Sequence, residues 1–165
     1  MTTNWPATGR WTLQAKQSLL EVFVYKAPSL GSALAHDLVL NTRALTSELL
    51  VDEAGASLDA RAELWELGIN KGILNVIEWF ECKRLMRKHV LKSEKLANAR
   101  LQGRIERVPD GSPGLCFKGE LAMLGSVSRA LTMPIELVSS SAHELHARGR
   151  VSFLQSDYGI EPFSN

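Results

Sequence analysis

The chain is short of cysteine and tyrosine, with two of each, and has no excess of either charge. Cys82 and Cys116 do not form a metal-type spacing; in a reducing compartment two such distant thiols are expected to be free and buried. Lys and Arg number 19 against 18 Asp and Glu, a net charge of +1. No global field therefore calls for nucleic acid or an acidic membrane. No stretch approaches the roughly 18–20 apolar residues needed to span a bilayer. Met1 to Thr12 holds two Trp, a Pro and a Gly, but no basic segment followed by an apolar core, so no signal peptide is expected. The expectation is a soluble, cytoplasmic protein that is not membrane-embedded. No Gly-rich loop follows a strand, and no internal repeat is visible.

What is present fits an ordinary globular domain. A length of 165 residues favours one domain over 1–165, with 1–10 as an N-terminal extension. A domain of this size buries roughly 70% of its unfolded surface. Alternating apolar residues dominate. "LLEVFVYK" puts Leu20, Val22 and Val24 on one face and Leu19, Glu21, Phe23 and Tyr25 on the other, so its outside should be covered. "HDLVLNTRALTSELLV" reads as two strands with a break near Asn41. "LDARAELW" alternates Leu58, Ala60, Ala62 and Leu64 with Asp59, Arg61 and Glu63.

"NVIEWFECKRLMRKHVL" changes period. Val76, Trp79, Phe80, Cys82, Met86 and Val90 recur at about 3.6 residues per turn, which predicts a helix over about 75–89. Asn75 is its candidate N-cap, with Glu78 completing a capping box. Strands resume in "RLQGRIERV", and "PDGSPG" is a hairpin signal because Asp-Gly tolerates positive φ. Leu115, Phe117, Gly119, Leu121 and Met123 then share a face, as do Leu131, Met133, Ile135 and Leu137. Pro134 argues for an edge, a bulge or a strand end. Leu145, Ala147, Gly149, Val151 and Phe153 make a last alternating row.

Seven to nine antiparallel strands around one helix predict a barrel or sandwich. The small inward residues Gly119, Ala147 and Gly149 leave two readings open. The barrel holds something, or its larger neighbours fill the space.

Four segments, "WTLQAKQSLLEVFVYK", "HVLKSEKLANARLQG", "GELAMLGSVSRALTMPIEL" and "QSDYGIEPFS", in that order, resemble the YceI-like family of lipocalin-like β-barrels. "ALAHDLVL" is similar to the His-Asp segment of one branch. The resemblance implies an all-β fold with one helix: an antiparallel eight-stranded barrel with the helix across one end, holding a polyisoprenoid, a quinone tail or another lipid. Many members are exported and some are dimers. Gln14 and Gln17 stand where the family often has Asp and His, and Gly125 and Ser126 where it often has His-Gly, so the head group need not be a quinone. The family usually continues from its "fGI.P" turn into one more strand. Gly159 therefore looks like a turn into a closing strand that is missing, with the open edge covered by a partner subunit or by the segment before Arg10.

No Ser, Cys or Thr lies in a recognisable nucleophile setting. His36 and Asp37 adjoin, but neighbours on a strand face opposite ways, which favours a structural role over a base. His143 and His146 have helical ligand spacing on what reads as a strand, so no metal is expected. His89 sits where a cation favours a helix C-terminus. Asp157 is expected to brace its turn.

Binding falls to the apolar rows. Leu20, Val22, Val24, Phe117, Leu121, Met123, Met133, Val151 and Phe153 are the expected lining. Trp79, Phe80 and Met86 are expected to close one end from the helix. Arg129 is the candidate for a head group, or else for a hairpin salt bridge. The expected function is non-enzymatic binding, carriage or sensing of a long apolar molecule by a homodimer, with no cofactor other than such a lipid. The alternatives are a filled barrel whose open edge recruits a partner and a small hydrolase or isomerase using His36.

Overall fold

The computed structural model describes residues 5–25, 38–70, 74–90, 98–112, 114–123 and 127–160. Its strands are β1 (Gly9–Thr12), β2 (Leu20–Val24), β3 (Leu38–Thr42), β4 (Leu45–Val51), β5 (Ala56–Glu63), β6 (Gly68–Ile69), β7 (Asn98–Arg107), β8 (Leu115–Met123), β9 (Val127–Ser140) and β10 (Leu145–Gly149). One helix, α1, covers Val76–Leu85. Seven strands form a curled sheet in the order β1-β4-β5-β7-β8-β9-β10, and β2-β3-β6 form a small one. Every pairing is antiparallel. The fold is all-β and barrel-like. Among the described residues no helix is long and apolar enough to cross a membrane.

The two sheets are one wall creased at a corner. Only Arg43 and Ala44 separate β3 from β4, two residues past the expected break. The Leu13 amide extends the β1–β4 ladder by donating to Ser47, at 3.3 Å, and pairing resumes at Leu20 opposite Thr42. β5 likewise runs through a short 3-10 turn into β6, which pairs with β3. Strands that bend from one sheet into the next make such corners.

Strand number decides how the barrel closes. Each of the seven strands is antiparallel to its neighbour, so β1 and β10 run in the same direction. An antiparallel barrel closes only on an even count. Among the described residues the wall therefore has one strand fewer than the eight the resemblance implies. Among the described residues, side chains alone bridge the opening. Arg150 donates to the Tyr25 hydroxyl at 3.0 Å and lies over the Phe23 ring at 5.1 Å. This partly covers the outside of β2, where Phe23 stays 44% exposed. Residues 5–8 do not cover the β10 edge. The Trp5 indole donates to the Asp52 carbonyl at 3.2 Å, which places the segment at the far end.

The last alternating row is shorter than its pattern. β10 stops at Gly149, opposite Ile135. Pro134 thus lies in β9 where its neighbour ends, a position that tolerates a missing N–H. Residues 150–154 carry no ladder, and a 3-10 turn occupies Gln155–Tyr158. Gly159, at φ +68°, caps that turn, and Tyr158 and Ile160 are buried. The glycine prepares an anchor into the core. Residues 161–165, where a further strand was expected to be lacking, lie outside the described residues.

Helix α1 starts as its sequence predicts. Asn75 Oδ1 accepts from the Glu78 amide at 2.9 Å, and Glu78 Oε2 accepts from the Asn75 amide at 3.0 Å. The α-helix ends four residues before the expected 89 and continues as a wider π-type turn over Met86–Val90. The Trp79 indole donates to the Ile69 carbonyl at 3.0 Å and sets the helix rotation. At about 100° per residue this turns Trp79, Cys82 and Met86 inward. Val76 and Phe80, expected on the inward stripe, are each 62% exposed instead.

One packed cluster sits at this end, while Val51, Ala56, Leu115, Phe117 and Met133 are buried elsewhere in the sheet. Leu40, Leu64, Leu67, Ile69, Met86, Ala99, Tyr158 and Ile160 form one cluster, with Val22, Val24, Trp79, Cys82, Leu121 and Met123 against it.

Candidate functional site

Away from that plug the barrel is open. A trough of about 3110 Å³ runs between the curled sheet, β2 and residues 150–156. Small-molecule pockets measure roughly 300–1,000 Å³, so the trough is several times the size of a pocket that encloses one small ligand. The inward rows that border it on β4, β5, β7, β8 and β9 are apolar save Ser47. Register builds this surface: Leu49, Leu58, Gly103, Gly119 and Leu131 lie side by side across five strands. Leu45, Leu49, Leu58, Leu101, Ile105 and Leu131 are all only half-buried. The outer rows are charged and paired. Arg100 Nε donates to Asp59 at 2.9 Å, and Arg104 holds Asp52 at 3.1 Å.

Leu20, Val22, Val24, Met86, Leu121, Met123, Met133, Val151 and Phe153 border the trough. Met86 does so from the packed end, and Phe153 stacks edge-on against Tyr158 at 4.8 Å. Phe117 does not border it, being wholly buried at 0% exposure. Its Cζ lies 2.7 Å from where a Cβ of Gly119 would stand, so the ring lies across that glycine. A Cβ on Gly103 or Gly119 would also overlap the opposite backbone. These glycines let β7 and β8 approach closely; they do not leave a void. Gly149 is similar, because Ile135 Cδ1 and Met133 Sδ would lie 2.8 and 2.9 Å from its Cβ. At Gly119 and Gly149, then, large neighbours fill the space. The trough therefore does not come from these two glycines, and Ala147, the third small residue of the expectation, borders it.

Trp79 and Phe80 do not border the trough either. Trp79 packs against the core cluster, and Phe80 points away from it. Arg129 shares a row with Leu131 but donates to the Asp157 carbonyl at 2.8 Å. Among the described residues it makes neither a hairpin salt bridge nor a trough contact, and it ties the start of β9 to the terminal turn. That turn is held by backbone bonds, Gly159 to Ser156 at 3.2 Å and Ile160 to Gln155 at 3.1 Å, where Asp157's side chain was expected.

The trough also has a polar margin, some of whose members the sequence named singly without bringing them together. Gln14 and Gln17 stand on one side, and His143, Glu144, His146, Arg148 and Arg150 on the other. Its signal is a polar row at every second residue from 144 to 150. Arg148 pairs with Glu136 at 2.6 Å.

Titration shifts are modest. Burial, then Glu78 and Glu81, pushes the Cys82 thiol up and keeps it protonated. Burial, then Asp157, raises the Tyr158 phenol against an opposing Arg129. Both cysteines are free and half-buried. Among the described residues no group of three or more His, Cys, Asp or Glu is placed to hold a metal ion. His36, Asp37, Gly125 and Ser126 lie outside the described residues.

No protein-family model matches the chain, and no curated protein matches it.

Proposed function

We propose that the protein is a non-enzymatic carrier or sensor that holds a long apolar molecule, a polyisoprenoid, quinone tail or other lipid, in its trough. One observation carries this reading: much of an apolar concave face, Leu45, Leu49, Leu58, Leu101, Ile105 and Leu131 among it, is left half-buried, while a packed cluster closes one end. Exposed apolar surface of this extent marks a binding site. Each Å² that a hydrocarbon tail covers contributes roughly 25 cal/mol. The likeness of four segments to the YceI-like family points the same way. Organic extraction of the purified protein tests it. Near-stoichiometric lipid supports the carrier, and protein that yields none and takes up none contradicts it.

The odd count of strands among the described residues favours a second reading, in which the opening between β1–β2 and β10 recruits an extended strand from a second copy. A dimer in sedimentation whose β10 amides exchange slowly supports it. A monomer with the same slow exchange removes it.

A further inference from the structure

We propose that the outer face of α1 docks the protein on an anionic lipid surface. Val76 and Phe80 are each 62% exposed and Ile77 is 81% exposed. All three stand in the first half of α1, and Arg84, Arg87 and Lys88 come after them in the second half and the turn beyond, while Lys83 folds over the Trp79 ring at 4.9 Å. Only two acidic residues share the segment 76–90. Glu78 closes the capping box, and Glu81 is paired to Arg84. Arg87 reaches the Trp65 carbonyl at 3.3 Å, and Trp65 itself is 48% exposed beside it.

The face thus joins an apolar patch to a cluster of cations. A phospholipid surface with anionic head groups meets both halves at once. An acidic protein would match the charges but leave the apolar half to be met by a pocket. The whole-chain charge of +1 hides the cluster, because acidic residues elsewhere cancel it. Ile77, Glu81 and Leu85 also border the trough, so docking would bring its rim to the bilayer. Docking itself does not require the trough to hold a lipid.

The test is cosedimentation of the full chain with phosphatidylcholine vesicles, with and without phosphatidylglycerol. The expected result is binding to the anionic vesicles alone, weakened by salt as screening shortens. Removing two cations with Arg84→Gln and Lys88→Gln should lower partitioning roughly 30-fold. Phe80→Ser should lower it roughly tenfold or more. Uptake of cis-parinarate by Phe80→Ser, measured separately, keeps failure of docking distinct from failure of the trough. No binding to anionic vesicles overturns the proposal, as does binding that survives both sets of substitutions. Self-association lost in Phe80→Ser without vesicle binding assigns the face to a second copy and overturns it too.

Discussion

Leu101→Ala and Phe117→Ala, made separately, should cost the protein very different amounts. Both residues belong to inward rows of the same sheet, on the paired strands β7 and β8. Phe117 is wholly buried and packed over Gly119. Its truncation leaves a sealed cavity and should cost about 3–5 kcal/mol. Leu101 is half-buried and borders the trough. Fully burying the carbons lost in Leu→Ala contributes roughly 2–2.5 kcal/mol, so half-burial leaves about 1 kcal/mol. No cavity cost adds to it, because the vacated space opens into the trough. In a domain of this size the two changes should lower Tm by about 3 °C and by about 10 °C or more. Urea unfolding followed by circular dichroism measures both, with an unchanged m-value required for the comparison. A Leu101→Ala cost as large as that of Phe117→Ala would mean the concave face is packed against something, and the reasoning from an open trough fails.

Single contacts give further expected outcomes. Gly119→Ala puts a Cβ into the Gln102 carbonyl and the Gly103 Cα, and backbone cannot yield cheaply, so it should lose about 2–3 kcal/mol in the same urea assay. Asn75→Ala removes one half of the capping box and should cost about 1 kcal/mol, and Asn75→Asp should restore most of it. Asp59 is held below the ordinary carboxylate range, first by its hydrogen bond to Arg100. A depressed folded pKa gives stability that is present above the unfolded value and lost as pH falls through the folded one. Solvent reaches both partners, so the contribution is roughly 0.5 kcal/mol. Asp59→Asn should lower stability at pH 7 by about that amount and make no difference near pH 2.

The strands are legible in the sequence where one face is buried and the other solvated. The rows of β2, β5, β8 and β9 point as their alternation predicts, because a one-residue slip would turn every apolar side chain outward. The capping box is legible because its chemistry is local. Three features are not. The sequence puts a strand break within two residues of Arg43–Ala44, but that the break is a crease depends on how two sheets meet, which no period records. The rotation of α1 is set by the Trp79 bond to Ile69, so Val76 and Phe80 face outward although they belong to the expected stripe. The glycines at 119 and 149 suggest empty space, but the Phe117 ring and the Met133 thioether occupy it. Composition gives a volume for each residue and says nothing of which neighbour bends over it. Gly159 makes a turn, as its sequence predicts, but the chain beyond it enters the core at Ile160.

Native mass spectrometry of the freshly purified protein, combined with organic extraction, tests the trough most directly. A bound mass in near-stoichiometric amount, released into the organic phase and displaced by cis-parinarate, is the predicted result. A bare polypeptide mass that takes up no long-chain probe would contradict it.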